Sequence, residues 1–168
     1  MVAFAIVQLN VDAYAQQQSM PEWFLHAYQQ QKLDQKYILQ AYIKPGFLEA
    51  DFNGDGMKDI AALVVKKGGK EKGLLIMHAV TLKYIVFGAG IDNPNGGRDF
   101  KWLDKWMLYK DKEAGETLFA KDGDITGWKT HKLKRTAIIV WGVEDGFEYS
   151  GGIYYWDGKK YIWLQQGE

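Results

Sequence analysis

The chain has 168 residues, enough for one domain with a real core, and its 47% apolar and 25% charged composition is that of a folded protein. The 21 basic residues are balanced by 21 acidic ones, which excludes the basic excess of a nucleic-acid surface. There is no cysteine, which excludes disulfides, thiol catalysis and thiolate metal sites, and no apolar run approaches the ~20 residues of a membrane-crossing helix.

At the N-terminus a short apolar run, residues 2–7, is followed by Ala13, Tyr14 and Ala15, small residues at the spacing of a signal-peptidase site. The first basic residue is Lys32, so the positive leader segment is missing. We read residues 1–15 as a truncated signal peptide and 16–168 as a single domain; the competing reading is an edge strand over residues 3–12. Ser19 and Pro21 suit the start of a helix. Met20, Trp23, Phe24, Ala27 and Tyr28 then recur at helical spacing, which predicts a helix over 20–31 with an aromatic stripe packed on a sheet.

Beyond the helix the pattern becomes that of strands. They are expected at 37–43, 47–50, 60–65, 73–78 and 82–87; the third is a continuous apolar run of the kind found in buried central strands. Residues 88–97 read as a loop. The aromatic segment 100–109 reads as a strand, with a short helix as the alternative, and 110–127 as polar and turn-rich. Further strands are expected at 128–133 and 137–143. Asp157-Gly158, between aromatic runs 153–156 and 160–164, signals a hairpin. Heavy aromatic content (15%) and 19 glycines fit aromatic strands joined by glycine turns. The fold class expected is therefore α+β: an N-terminal helix packed on a largely antiparallel, aromatic-rich sheet.

Residues 51–59 read DFNGDGMKD. Calcium is a hard cation that takes six to eight oxygen ligands. In a tight loop Asp51, Asn53 and Asp55 turn their side-chain oxygens inward, Met57 offers its backbone carbonyl, and Asp59 closes the cage. Gly54 and Gly56 permit the sharp turns. The helix-loop-helix calcium motif requires glutamate at its twelfth position, which here is Ala62, so that motif is rejected. The competing reading is an Asx-rich turn without metal, in which the carboxylates repel one another beside Lys58.

The spacing DxNxDGxxD resembles the calcium loops of FG-GAP and VCBS-type repeats, over the loop and its flanking strands at about 47–65. That resemblance implies Ca2+ bound by Asp51, Asn53, Asp55, the Met57 carbonyl and Asp59. Those families repeat the motif blade after blade and this chain has it once, so neither propeller architecture nor propeller function is carried over.

Other constellations are weaker. Asp122 and Asp124 form a second acidic turn, and Asp92, Asn93 and Asn95 an oxygen-rich loop, each without further ligands at a suitable spacing. His26, His78 and His131 are too scattered for a zinc motif. Glu144, Asp145 and Glu148 are candidates to pair with Asp99 or Asp104 as glycosidase carboxylates. Trp102, Trp106, Trp141, Trp156 and Trp163 are candidates for a carbohydrate platform, with core packing the commoner use of such residues. The functional expectation is a calcium-stabilised, secreted or periplasmic protein with a non-catalytic role, binding a protein or carbohydrate ligand. The alternative is a small secreted carbohydrate-active hydrolase using an acidic pair.

Overall fold

The structure, a computed structural model, describes residues 20–167. The suggested signal segment, the alternative edge strand and the Ser19 cap lie outside the described residues. The architecture is α+β, with one α-helix among the described residues and antiparallel strand pairs that follow it. These residues divide into two compact units, one formed by 20–49 and 59–101, the other by 50–58 and 102–167.

The first unit opens with helix α1 (Glu22–Gln30), entered from Pro21, whose extended backbone starts the turn and whose carbonyl accepts the Phe24 N–H at 3.0 Å. Strands β1 (Tyr37–Leu39), β2 (Phe47–Ala50), β3 (Asp59–Lys66), β4 (Lys72–Met77) and β5 (Tyr84–Gly88) follow. They form one sheet in the order β1-β3-β4-β5, with β2 also paired to β3. The β1–β3, β3–β4 and β4–β5 pairs are antiparallel, and Ala62 lies opposite Leu75. The α1 stripe delivers Phe24, Ala27 and Tyr28 to a core shared with Ile60, Ala62, Val64, Leu75 and Met77 from the sheet. Residues 60, 62 and 64 share a face because side chains alternate along a strand. Ala61 and Leu63 on the opposite face are also fully buried, as the unbroken apolar run predicts.

The second unit contains β6 (Lys105–Tyr109), β7 (Glu113–Phe119), β8 (Ile125–Lys132), β9 (Ala137–Glu144), β10 (Phe147–Trp156) and β11 (Tyr161–Gly167). Four of these form an antiparallel sheet in the order β11-β10-β9-β6, and β7 and β8 form a separate two-stranded hairpin. Ala114 of β7 is buried with Ala137, Ile153, Tyr155 and Leu164, so one face of the hairpin packs on the four-stranded sheet. Gly152 leaves room for the Trp163 indole, which a Cβ there would strike; the ring meets Tyr154 edge-on at 4.9 Å.

Several boundaries differ from expectation. The strands are distributed over three sheets instead of one. Segment 100–109 splits into a 3-10 turn, Phe100–Trp102, and β6. The polar stretch 110–127 contains β7, whose glutamates and glycine hide it from a propensity reading. Those glutamates lie opposite lysines of β8 in register, Glu113 across from Lys132 and Glu116 across from Lys129. The expected hairpin at Asp157-Gly158 is present. Its four-residue connection is held by the Asp157 carboxylate, which accepts the N–H groups of Lys159 at 2.7 Å and Lys160 at 2.9 Å.

Tyr28 ties the helix to the sheet, donating its hydroxyl to the Tyr37 carbonyl at 2.8 Å in a buried position. Burial pushes the Tyr28 phenol well above the ordinary tyrosine range, and the negative charge of Asp34 adds to the effect. A raised folded-state pKa means that the stabilisation is complete below pH ~10 and falls as pH rises beyond it, where the unfolded chain loses the proton first. Tyr28→Phe should cost about 1 kcal/mol at neutral pH and flatten the loss of stability above pH ~10. Urea unfolding at neutral and alkaline pH checks both; an unchanged alkaline slope would assign that sensitivity to other groups.

Candidate metal centre and exposed hairpin

The loop over residues 51–59 is organised around one carboxylate. Asp51 Oδ1 accepts the N–H groups of Gly54 at 2.6 Å and Asp55 at 3.1 Å, and its Oδ2 accepts that of Gly56 at 2.9 Å. Asn53 Oδ1 accepts the Asp55 N–H at 2.8 Å, and Asp55 Oδ1 the Met57 N–H at 2.9 Å. Asp55 Oδ2 receives the Asn53 amide at 2.8 Å. These bonds wind the backbone inward on itself, and Gly54 and Gly56 take positive φ values of 83° and 90° to complete the winding. Phe52, between Asp51 and Asn53 in the chain, is buried and 1% exposed.

The donor chemistry of Asp51, Asn53 and Asp55 suits a hard cation: every side-chain donor is oxygen, and an ionised carboxylate has about four lone-pair positions, of which Asp51 uses three. The Met57 side chain is exposed. Asp59 behaves differently. It opens β3, is fully buried, and its Oδ1 accepts the Ala79 N–H at 2.9 Å. Among the described residues no three His, Cys, Asp or Glu side chains are gathered to hold a metal. Asp51, Asn53 and Asp55 are thus brought together, while Asp59 serves the end of its strand.

One partner of the loop was not visible from its neighbourhood in sequence. The Arg135 side chain runs alongside Gly54, where a Cβ would lie 3.1 Å from its Cδ and closer still to Nε, and its guanidinium donates to the Trp156 carbonyl at 3.3 Å. Arg135 therefore brings a cation to the acidic loop and joins it to the β10–β11 hairpin. Lys58, the nearest cation in sequence, is exposed.

Several of the other candidates are held in bonds within the fold. Asp104 Oδ2 accepts the Val143 N–H at 2.8 Å, and Asp99 Oδ1 the Lys72 N–H at 2.9 Å. Glu148 is paired with Lys105 at 3.0 Å, and Asp145 occupies the β9–β10 turn at φ 50°. Asp122 caps its own turn by accepting the Asp124 N–H at 3.3 Å. Asn93 Oδ1 likewise accepts the Asn95 N–H at 3.2 Å. An open depression of 450 Å³ lined by Gln31, Thr81, Leu82, Lys83 and Tyr84 carries no carboxylate.

The five tryptophans considered as a platform are wholly or partly buried, Trp106 almost completely. The exposed indole is Trp128 on β8, 82% accessible, with Phe119 and Ile125 also exposed on the same hairpin. In register, Trp128 lies opposite Thr117 and Ile125 opposite Phe119. The signal was present in the sequence: ITGWKTHK lacks the apolar alternation of a half-buried strand, as a strand exposed along most of its length would.

Comparison with protein-family models, with curated proteins and with solved structures found no match to this chain.

The two loop glycines allow a controlled test of the Arg135 contact. Gly54→Ala and Gly56→Ala both force a side chain into left-handed backbone, at about 1–2 kcal/mol each. Only the Gly54 substitution also displaces Arg135, because nothing lies within contact distance of a Cβ at Gly56. Denaturant unfolding should therefore show Gly54→Ala to be the more damaging of the two; equal losses would show that the Arg135 contact contributes nothing measurable.

Proposed function

We propose that this chain is a calcium-stabilised binding protein without catalytic activity, working outside the cytoplasm. The observation that carries the binding reading is Trp128, a large apolar ring held in solvent on a hairpin whose other face is anchored in a core. A fold does not ordinarily leave its largest side chain so exposed, and patches of this kind mark interaction sites. Of the acidic residues suggested for hydrolysis, Asp99 and Asp104 are engaged with backbone N–H groups and Glu148 with a lysine, which favours binding over hydrolysis.

Calcium is supported by the oxygen donors of Asp51, Asn53 and Asp55 and by the resemblance of DxNxDGxxD to FG-GAP and VCBS-type loops. When bound, the cation would be held by these side chains and the Met57 carbonyl, with Asp59 as the fifth ligand the resemblance implies. Its contribution is charge neutralisation: it replaces repulsion between neighbouring carboxylates with attraction to a shared centre. Export follows from the same reading, since a modest calcium site fills where calcium is plentiful. Recovery of the mature protein from the cytosol with residues 1–15 intact would end that part of it.

A ligand that binds only the folded state stabilises it by ~2.7 kcal/mol at a hundredfold excess over its Kd. Millimolar calcium should therefore raise the melting temperature by several degrees. Asp51→Ala or Asp55→Ala should abolish most of the rise, and Lys58→Ala should not. Asp59→Ala is the less clean variant because Asp59 also holds Ala79. Magnesium should substitute poorly, since it demands a tighter octahedral shell. Identical melting curves with calcium and with chelator, on metal-free protein, would reduce the loop to a turn.

A further inference from the structure

We propose that the free edge of β8 accepts an acidic, extended peptide segment as a third strand beside β7 and β8. The proposal rests on the binding reading above and names the class of partner. Among the described residues β8 pairs only with β7, so its outer edge presents backbone donors and acceptors of the kind that β-augmentation uses. The register shift between Leu118 and Phe119 confines the regular part of that edge to residues 127–132. Trp128 stands within this stretch and offers apolar area to a side chain of an incoming strand.

Charge selects the partner. From Ile125 to Lys134 the chain carries Lys129, Lys132 and Lys134 and no acidic residue. The hairpin's acids are Glu113 and Glu116 on β7, away from the free edge, and Asp122 and Asp124 in the connecting turn, outside residues 127–132; Glu116 is bonded to His131 at 2.6 Å. Lys129 and Lys132 are exposed and make no ion pair among the described residues. They fall on opposite faces of the strand, Lys132 on that of Trp128. A strand running along the edge meets both lysines, whereas a glycan lying on the Trp128 face meets only one. A second copy of β8 would set two lysine-rich strands side by side, so the complement is a strand of opposite charge.

The test uses the full chain and two blocked octapeptides rich in valine and threonine, one with glutamates distributed over both faces and the other with lysines at the same positions. The acidic peptide should bind at least about tenfold more tightly at low salt, weaken as salt is raised towards about 0.5 M, and protect amides of residues 127–132 from hydrogen exchange. Trp128→Ala should weaken it several-fold, and Lys129→Glu combined with Lys132→Glu should reverse the preference between the two peptides. Equal affinity for both peptides, protection elsewhere in the chain, or indifference to these substitutions would overturn the proposal. Binding of dextran sulfate to the hairpin without peptide binding would also overturn it while leaving the binding reading intact. Failure of every ligand at Trp128, together with release of reducing sugar from a glycan, would overturn both.

Discussion

Strand β3 is apolar on both faces, and much of the first unit takes its position from it. A half-buried strand records its register in the alternation of polar and apolar side chains, because slipping by one residue exposes the apolar set. Residues 60–64 carry no such record: Ile60, Ala62 and Val64 face the helix core, and Ala61 and Leu63 are equally buried on the other side. Register must then be set at the strand ends. At the beginning of β3 stands Asp59, fully buried, with its carboxylate holding the Ala79 N–H just beyond the end of β4. Misplacing Asp59 by one position would bury a carboxylate away from that donor, and an unsatisfied buried polar group is costly.

The same constraint gives the acidic loop a structural reason to exist before any metal is considered. Asp51, Asn53 and Asp55 spend their oxygens on the backbone of the turn that delivers the chain into β3. The cost of this turn is electrostatic, since it concentrates negative charge in a short span. The Arg135 side chain comes alongside Gly54 from a remote position in the chain.

What could be read from sequence followed the strength of the local pattern. The helix stripe, the apolar run of β3 and the Asp-Gly hairpin are each dictated by neighbours a few residues apart, and each is found where expected. The division into separate sheets was not legible, because it depends on which edges meet, and β10 and β9 carry no mark that distinguishes them from β3 and β4. Strand β7 was hidden because its stability comes from cross-strand partners in β8 rather than from its own propensities. In the candidate metal site, the grouping of Asp51, Asn53 and Asp55 was legible from spacing alone. The separate employment of Asp59 and the approach of Arg135 were not, because both are tertiary.

The tryptophans show the same division between local chemistry and global placement. Every aromatic strand residue is a candidate for either core or ligand, and the chemistry of an indole does not decide between them. Trp163 is committed because Gly152 opens a space for its ring and Gln165 accepts its N–H at 2.8 Å. Trp156 is committed beside Tyr161, with ring centres 5.1 Å apart. Trp128 has a register partner, Thr117, too small to cover it, and stands on the hairpin face directed away from Ala114 and the core. Its exposure therefore follows from the pairing of β7 with β8: one face must pack to hold the hairpin in place, and Trp128 is on the other. Moving the indole to a neighbouring position would turn it towards the core side, so the register that anchors the hairpin is also what presents the ring to solvent.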